Sequence, residues 1–301
     1  MKGSKPVKVI AEIGCNHKGD MDIAKELVEV AAKFCNADIV KFQKRTNREL
    51  FTNEEFNRPH PVPENAYGES YGLHREYLEF DQQQHQELVS FCASLGIEYS
   101  TSVWDLTAGQ EMAKLNPPML KIPSATNQHF ELQGWLCQNY SGEIHVSTGM
   151  STHDEIDQIV DFYKGHDRVQ DLVLYACTSG YPVPMEEVCL LEIKRLMQRY
   201  GNDVRGIGFS GHHLGIAADV AALAVGRMCE LDGSGAFTHI ERHFTLDRTW
   251  KGTDHAASLE PDGLRKLCRD IHSIDLALDE KNQEIMPIEE AQRDKLKWRA
   301  A

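Results

Sequence analysis

Eight short apolar segments alternate with amphipathic segments along this 301-residue chain, and the alternation restricts its possible folds more than any other feature. The apolar, strand-like segments lie at 7–14, 38–43, 98–103, 119–124, 143–148, 172–177, 206–210 and 237–244. Helical spacing of apolar residues predicts a first helix capped by Asp20 and later helices near 84–95, 106–115, 128–139, 152–163, 186–199, 216–229 and 260–277. Because parallel strands need helical crossovers and eight such units close a ring, we predict a single-domain (β/α)8 TIM barrel.

Two further features concern the domain organisation. No Gly-x-Gly-x-x-Gly turn follows the first predicted strand, which weakens the alternative of a doubly wound open sheet. The connection at about 44–81 is too long for an ordinary barrel loop, and its aromatic residues favour an ordered lid over a disordered insert. The catalytic barrel is therefore predicted to span residues 1–280, with a C-terminal extension at 281–301.

The overall charge limits the choice of partners. The net charge of -14 argues against binding to nucleic acids or anionic membranes, because both require clustered Lys and Arg on the protein. No segment reaches the roughly 18 consecutive apolar residues of a membrane-spanning helix, and the first residues show no signal-peptide core. We therefore expect a cytoplasmic protein without nucleic-acid or membrane partners, whose eight scattered cysteines are mostly buried thiols.

Polar residues stand at or just beyond the C-terminal end of every predicted strand. In a (β/α)8 barrel these ends share the face that carries catalysis. A loop cap or a solvated strand end explains each residue singly, but it does not explain their recurrence at eight successive ends. The residues concerned are Glu12, Asn16, His17, Lys41, Gln43, Thr101, Lys121, Ser124, Ser147, Thr148, Cys177, Thr178, Ser179, Tyr181, Ser210, His212, Glu241 and His243.

Two lysines interrupt apolar strands, Lys41 on the second and Lys121 on the fourth. An inward barrel position tolerates an ammonium group poorly unless it meets an anion, although a single lysine can also extend to solvent. Two such lysines together predict a shared anionic ligand. Ser124, Ser147 and Ser210 supply hydroxyl donors at the same level of the predicted barrel.

Two histidines, His212 and His243, end the seventh and eighth predicted strands. A single histidine at a strand end is more often hydrogen-bonded than metal-bound, whereas two of them near Glu241 and Asp254 favour a metal site. Imidazole and oxygen ligands with open positions suit Mn²⁺, with Zn²⁺ or Fe²⁺ as alternatives. The cluster contains no cysteine, which argues against a structural zinc site.

Eight motifs occur in an order and spacing that resemble the sialic acid synthase (N-acetylneuraminate synthase) family over residues 7–297. Each motif is weak evidence singly, but the ordered set is specific. The motifs are IAEIGCNHKGD at 10–20, VKFQ at 40–43, YGLHREYLEF at 71–80, LKIPS at 120–124, VSTGM at 146–150, FSGH at 209–212, ERHFT at 241–245 and GTDHAASLEP at 252–261.

This resemblance implies a metal-dependent condensation of phosphoenolpyruvate with an N-acetylated hexosamine aldehyde, such as N-acetylmannosamine, and water. The products are a sialic acid or related nonulosonate and inorganic phosphate. It also implies that His212 and His243 bind the metal, usually Mn²⁺, with Mg²⁺ or Co²⁺ as alternatives. By the same resemblance Asn65, Glu12 and Asp254 face the sugar, and the residues that bind phosphoenolpyruvate are Lys41, Thr101, Lys121, Ser124, Ser147, Tyr181 and Ser210.

The catalytic candidates are Glu241, Glu12 and Asp254. In the implied reaction, C3 of phosphoenolpyruvate attacks an aldehyde polarised by the metal, water adds at C2, and phosphate leaves. Glu241, the acidic residue beside the metal, is the preferred group to steer this water or manage its proton.

The chain departs from the family pattern in three places. Ser210-Gly-His-His replaces the usual Ser-Asp-His-Thr, so a carboxylate beside the metal histidine is missing and His213 is added. Ser179 stands where some members have Asn. Members commonly continue into an antifreeze-like domain that covers the partner's sugar site, and this chain stops where that domain would begin. We expect a homodimer whose sugar pocket is closed by the long connection or by a separate chain.

Two alternative functions remain open. The first is condensation of phosphoenolpyruvate with a deoxy or phosphorylated aldose, in which Arg45, Arg75 and Arg248 could bind an acceptor phosphate. The second is a non-catalytic barrel that binds a sugar or a metal, although such a protein has no need for Lys41, Lys121 and the histidine pair together.

Overall fold

Eight parallel strands form a closed barrel in chain order in the computed structural model, which describes residues 5–298. Each strand pairs with the next, and the last pairs with the first. The predicted (β/α)8 barrel is therefore confirmed. The strands are β1 Lys8–Gly14, β2 Ile39–Lys44, β3 Glu98–Val103, β4 Met119–Ile122, β5 Glu143–Ser147, β6 Leu172–Cys177, β7 Gly206–Gly211 and β8 Phe237–His243.

Helices connect the strands and form an outer ring. Asp20 caps the first helix as predicted, because its side chain accepts hydrogen bonds from the backbone of Asp22 and Ile23. The helices are α1 Met21–Glu29, α2 Asn47–Leu50, α3 Asn53–Asn57, α4 Tyr71–Tyr77, α5 Gln82–Leu95, α6 Leu106–Ala113, α7 Phe130–Asn139, α8 His153–Gly165, α9 Leu191–Tyr200, α10 Ala217–Leu231, α11 Pro261–Ala277 and α12 Pro287–Leu296.

Alternating side chains give the barrel two separate packing layers. Outward residues such as Val9, Val40 and Ile144 belong to the large core between strands and helices. Inward residues form a small apolar cluster inside the barrel, which includes Ile10 and Met119. The next inward positions toward the C-terminal ends are polar, so the strands themselves place the polar groups on one face.

The long connection between β2 and α5 is ordered and contains the helices α2, α3 and α4. The Tyr67 hydroxyl donates to the Lys251 carbonyl at 2.6 Å, and Asn65 Oδ1 accepts from the Gly252 backbone at 3.3 Å. The connection therefore reaches the loop after β8 at the C-terminal face. This position agrees with the lid and not with a disordered insert.

The C-terminal part of the described chain ends with α12, none of whose residues is buried. The domain boundary at 280 stays a prediction, as do the cytoplasmic location and the homodimer. None of the helices between residues 5 and 298 combines the length and hydrophobicity needed to cross a bilayer.

Close packing of α10 on β8 yields a prediction about stability. A Cβ added at Gly226 would lie 2.2 Å from the Phe237 ring. We expect Gly226→Ala to lower the free energy of unfolding in urea by about 1–3 kcal/mol, although alanine favours a helix. Gly165→Ala is the matched control, since its added Cβ meets nothing within 4 Å. Equal stability of both variants would contradict this packing.

Candidate active site

A cavity of about 400 Å³ opens at the C-terminal ends of the strands, where the chemistry of such barrels is located. Every strand, or the turn that follows it, contributes to its wall. The lining residues are Glu12, Lys41, Gln43, Arg45, Arg75, Ser102, Trp104, Lys121, Pro123, Ser124, Ala125, Ser147, Met150, Cys177, Ser179, Tyr181, Ser210, His212, Glu241, His243, Thr253 and Asp254.

Two buried lysines and two buried glutamates form the floor of the cavity. The ammonium group of Lys41 contacts the Glu12 carboxylate and lies 3.6 Å from Glu241 Oε1. Lys121 Nζ donates to the same Glu241 oxygen at 2.7 Å. The two positive and two negative charges compensate one another, which makes their burial tolerable.

Burial and pairing shift the pKa values of the floor in different directions. Burial opposes ionisation of Glu241, but Lys121 and Lys41 outweigh it and lower its pKa to about 2. Burial also opposes the ammonium group of Lys41, but Glu12 and Glu241 raise its pKa. For Lys121 burial dominates and lowers the pKa. An anion that enters beside Lys121 would therefore stabilise the ammonium charge of Lys121, which the protein alone stabilises incompletely.

Glu241 retains an unused acceptor in the cavity. Its Oε1 accepts from Lys121 and, at 3.3 Å, from the Ser210 hydroxyl. Its Oε2 is buried without a hydrogen-bond partner among the described residues. This oxygen can accept a hydrogen bond from a water molecule or a substrate hydroxyl.

Hydroxyl groups surround Gly149 on another wall of the cavity. A Cβ at this position would lie 2.7 Å from Ser124 Oγ and 2.4 Å from Ser179 Oγ. Only glycine lets the backbone approach these two hydroxyls so closely. With the floor lysines, they supply the donors that a phosphate or carboxylate group requires.

A third wall carries carboxylates that can accept hydrogen bonds from a sugar. Gln43 Nε2 donates to Glu12 Oε1 at 2.8 Å, and a Cβ at Gly14 would lie 3.2 Å from that oxygen and 3.6 Å from Asp254 Oδ2. Burial raises the pKa of Asp254, but His243 and Arg75 outweigh it and lower the pKa overall. Asp254 is therefore an ionised acceptor at neutral pH.

The two predicted metal ligands lie side by side at the cavity. The ring centroids of His212 and His243 are 5.4 Å apart, and the Tyr181 ring lies 4.4 Å from that of His212. His212 Nδ1 donates to the Thr178 carbonyl at 3.0 Å, so Nε2 keeps its lone pair. Burial and His243 lower the pKa of His212 to about 3, which keeps the ring neutral.

This pair fits an open metal site. His243 Nδ1 is buried without a hydrogen-bond partner among the described residues, and His212 has a free Nε2. Between residues 5 and 298, no three His, Cys, Asp or Glu side chains form a group that could hold a metal ion. The protein would therefore supply two imidazoles and leave the other positions to water or substrate.

Comparison with known proteins identifies the family. A model described as the NeuB family matches residues 27–283. The chain belongs to the NeuB family. The resemblance expected from the ordered motifs is thereby confirmed.

Individual relatives cover nearly the whole of this NeuB-family chain. It is 35% identical to N-acetylneuraminate-9-phosphate synthase of Mus musculus over 294 aligned residues, and this alignment covers 98% of the chain and 77% of the relative. It is 33% identical over 275 residues to N,N'-diacetyllegionaminic acid synthase of Campylobacter jejuni, covering 91% and 78%. A solved N-acetylneuraminic acid synthetase from Leptospira borgpetersenii, in complex with citrate, has a TM-score of 0.77 at 26% identity and covers 97% of this chain and 93% of its own.

The structure brings together nearly all residues that the sequence predicts for the site. Those that line the cavity of this NeuB-family chain are Glu12, Lys41, Lys121, Ser124, Ser147, Tyr181, Ser210, His212, Glu241, His243 and Asp254. Thr101 and Asn65 lie outside the lining.

Thr101 lies on the opposite side of β3 from the cavity. Its outward neighbours Tyr99 and Val103 belong to the core beneath the helices, and its hydroxyl donates to the Ser102 carbonyl at 3.4 Å. Ser102 lines the cavity instead and accepts from Lys41 Nζ at 2.7 Å. The hydroxyl group of β3 that faces the cavity at this level is therefore that of Ser102. The apolar character of positions 99 and 103 could have revealed this alternation.

Asn65 bonds to the Gly252 backbone, next to the cavity residues Thr253 and Asp254. Its direct contact with a sugar stays a prediction. Of the three arginines considered for an acceptor phosphate, Arg45 and Arg75 line the cavity. Arg248 lines a separate cavity of about 250 Å³ and donates to the Ala256 carbonyl.

Sequence reasoning identifies Gln43 only as a polar strand end and misses Trp104, although both line the cavity. Gln43 bridges Glu12 and Arg45, since its amide donates to the carboxylate and its carbonyl contacts the guanidinium. The Arg45 guanidinium lies 3.9 Å from the centre of the Trp104 ring. These contacts hold Arg45 in place at the cavity. Arg45 and Arg75, which both line the cavity, together form a cationic rim beside the carboxylate wall.

Proposed function

We propose that this NeuB-family chain is a phosphoenolpyruvate-dependent transferase that forms a carbon–carbon bond. It condenses phosphoenolpyruvate, an N-acetylated hexosamine aldehyde and water into a nonulosonate and inorganic phosphate. The observation that carries the proposal is the presence of a lysine–glutamate floor and an imidazole pair in one cavity of about 400 Å³. Cavities of this size accommodate small-molecule ligands.

Phosphoenolpyruvate would bind at the floor and the hydroxyl wall. Lys41 and Lys121 supply the positive charge, and Ser124 and Ser179 supply hydrogen-bond donors. Because the charges of the four floor side chains balance one another, the ligand's negative charge draws the ammonium groups away from Glu12 and Glu241. The pKa of Glu241 then rises from its low value.

A divalent cation would be held by His212 and His243. Such a cation, when bound, polarises the aldehyde oxygen of the acceptor. Two nitrogen ligands with further oxygen positions suit Mn²⁺ better than Mg²⁺, and Co²⁺ is an alternative.

The proposed reaction assigns distinct tasks to the carboxylates. C3 of phosphoenolpyruvate attacks the aldehyde carbon, water adds to C2, and the C–O bond to phosphate breaks. The water oxygen becomes the C2 carbonyl, and its two protons end on the former aldehyde oxygen and on the departing phosphate. Glu241 orients that water through Oε2, which has no other partner among the described residues. Because the bound ligand raises its pKa, Glu241 can also accept one proton of this water and pass it to the departing phosphate. Glu12 and Asp254 accept hydrogen bonds from the sugar hydroxyls.

Phosphate release from phosphoenolpyruvate tests this proposal. It is measured with and without Mn²⁺ over N-acetylmannosamine, its 6-phosphate, a diacetamido-trideoxyhexose and a pentose phosphate. We expect release that requires both an aldose and the metal, together with a nine-carbon product from the hexosamines. No release with any acceptor would favour a binding barrel without catalytic activity.

A phosphorylated hexosamine is a second candidate acceptor, and the cationic rim favours it. Arg45 and Arg75 line the cavity on the side of Asp254. Among the described residues, the guanidinium of Arg75 donates to the Tyr71 hydroxyl alone, at 3.3 Å from both Nε and Nη2. Its remaining donors are available to a phosphate group at the far end of the sugar.

Arg75→Ala separates the two acceptors. A charge-assisted hydrogen bond contributes about 1.5–3 kcal/mol, so we expect roughly a 10- to 100-fold higher KM for the phosphorylated hexosamine and little change for the free sugar. Arg248→Ala is the control, because this arginine lies at the separate cavity. An equal effect of Arg75→Ala on both sugars would exclude phosphate recognition by the rim.

A further inference from the structure

A buried charge cluster lies immediately behind the two imidazoles. It consists of His213 in the turn after β7, Asp219 in the first turn of α10 and Arg242 on β8, each at most 2% exposed. Arg242 Nη1 contacts the Asp219 carboxylate. His213 Nε2 lies 3.0 Å from Arg242 Nη1 and 3.2 Å from Asp219 Oδ2. Arg242 stands directly between Glu241 and His243, on the opposite face of the strand from the cavity.

The Arg242 guanidinium connects the two chain segments that carry the imidazoles. It donates to the backbone carbonyls of His213 and Gly215, which belong to the turn directly after His212. Arg242 is also covalently adjacent to His243. One rigid, planar group therefore joins the turn of His212 to the strand of His243, and its fork geometry suits two fixed acceptors.

Gly211 and His213 are coupled by their packing. A Cβ at Gly211 would lie 2.8 Å from both Cε1 and Nδ1 of His213. The His213 ring therefore occupies the space that a side chain at 211 would need. The carboxylate that pairs with Arg242 comes from the helix, through Asp219, and not from the strand end beside His212.

We propose that His213, Asp219 and Arg242 are positioning residues that set the separation and orientation of the His212 and His243 imidazoles for a divalent cation. This inference rests on the metal site of the proposed function. Asp219 compensates the charge of Arg242, and Arg242 holds the turn. The opposite side of that turn is fixed by the His212 bond to Thr178 and by the Val183 amide, which donates to the His212 carbonyl at 3.1 Å.

Mn²⁺ binding to purified Asp219→Asn measures the effect directly. We follow free Mn²⁺ by electron paramagnetic resonance and phosphoenolpyruvate binding by calorimetry without metal. The neutral amide leaves Arg242 uncompensated, so we expect Mn²⁺ affinity to fall on the order of 10-fold or more. Phosphoenolpyruvate affinity is unchanged, because the lysine floor lies elsewhere in the cavity.

A charge-balanced double variant separates positioning from stability. Asp219→Asn with Arg242→Gln buries no unpaired charge, so it folds more stably than Asp219→Asn alone. It has lost the fork to the two carbonyls, however, and Mn²⁺ affinity stays low. A purely structural role predicts instead that metal affinity recovers together with stability.

Asp275→Asn is the matched control. Asp275, on α11, accepts a hydrogen bond at 2.6 Å from Nε of Arg227. Arg227 lies on α10, as Asp219 does, but at the helix end away from the cavity. We expect lower stability with unchanged Mn²⁺ affinity. Wild-type Mn²⁺ affinity in Asp219→Asn, or an equal loss in Asp275→Asn, would overturn the inference. Absence of Mn²⁺ binding by the unsubstituted protein would overturn both this inference and the metal site, while phosphate release without metal would leave the proposed condensation intact.

Discussion

Lys121→Met is expected to raise the KM for phosphoenolpyruvate by roughly 100- to 1000-fold. Methionine keeps the length of the side chain but removes the ammonium group that donates to Glu241 at 2.7 Å. Truncation of one partner of a buried, hydrogen-bonded charge pair between protein and ligand costs about 2–5 kcal/mol of binding free energy, and 100- to 1000-fold corresponds to roughly 3–4 kcal/mol within that range. Steady-state phosphate release gives KM, and calorimetry gives the affinity for phosphoenolpyruvate alone.

Lys44→Met controls for the loss of a buried lysine on β2 outside the cavity. Lys44 Nζ donates to the Phe80 carbonyl at 3.0 Å and lies 3.4 Å from Glu111. This variant should lose stability and keep its KM. If Lys121→Met retained normal affinity for phosphoenolpyruvate, the floor would not be the anion site.

The barrel could be predicted from sequence because its physical causes are local. Strands such as β3 and β6 have the bounds predicted from their apolar runs. The polar strand ends also follow from local order, because parallel strands in a barrel point their C-terminal ends to one face. Ordered motifs then located Lys41, Lys121 and the histidine pair in that face.

The parts that could not be predicted depend on contacts across the barrel. The pairing of Lys121 with Glu241 joins β4 to β8 across the interior, and no local pattern encodes the distance between them. Asp219 is similar, since in the sequence it is an acidic residue in the first turn of a helix, an ordinary position for a carboxylate. Only the fold brings it to Arg242.

Thr101 shows a different limit. The family resemblance indicated the correct strand, but neighbouring residues on a strand face opposite sides, so a shift of one position moves a hydroxyl out of the cavity. Ser102 is the inward residue. Placing a family residue on a strand therefore also requires that its side chain face the correct side, which the two-residue alternation of the strand decides.

The charge balance of the floor links binding to catalysis. Lys41 and Lys121 are matched by Glu12 and Glu241, so the cavity floor has no excess positive charge for an anionic substrate. Binding therefore depends on charge redistribution among these four groups. Glu241 is the group that this redistribution changes most, because both lysines hold its pKa near 2.

Glu241→Gln is expected to lower kcat by about 100- to 10,000-fold, the range that a positioned acid–base group contributes. Glutamine has the same shape and can still accept a hydrogen bond from Lys121, so the floor keeps its geometry. It removes a negative charge beside the ligand, so phosphoenolpyruvate should bind as well or more tightly. Its amide nitrogen only donates and cannot accept a hydrogen bond from the attacking water.

Glu111→Gln provides the comparison for the Glu241 variant, because Glu111 pairs with Lys44 outside the cavity. It should leave kcat and KM unchanged. Rapid-quench measurement of a single turnover, with calorimetry for phosphoenolpyruvate and Mn²⁺, separates the chemical step from binding. Undiminished turnover in Glu241→Gln would remove this residue from catalysis. Loss of phosphoenolpyruvate binding with an unchanged single-turnover rate would instead make Glu241 a counter-charge that holds Lys121 in place.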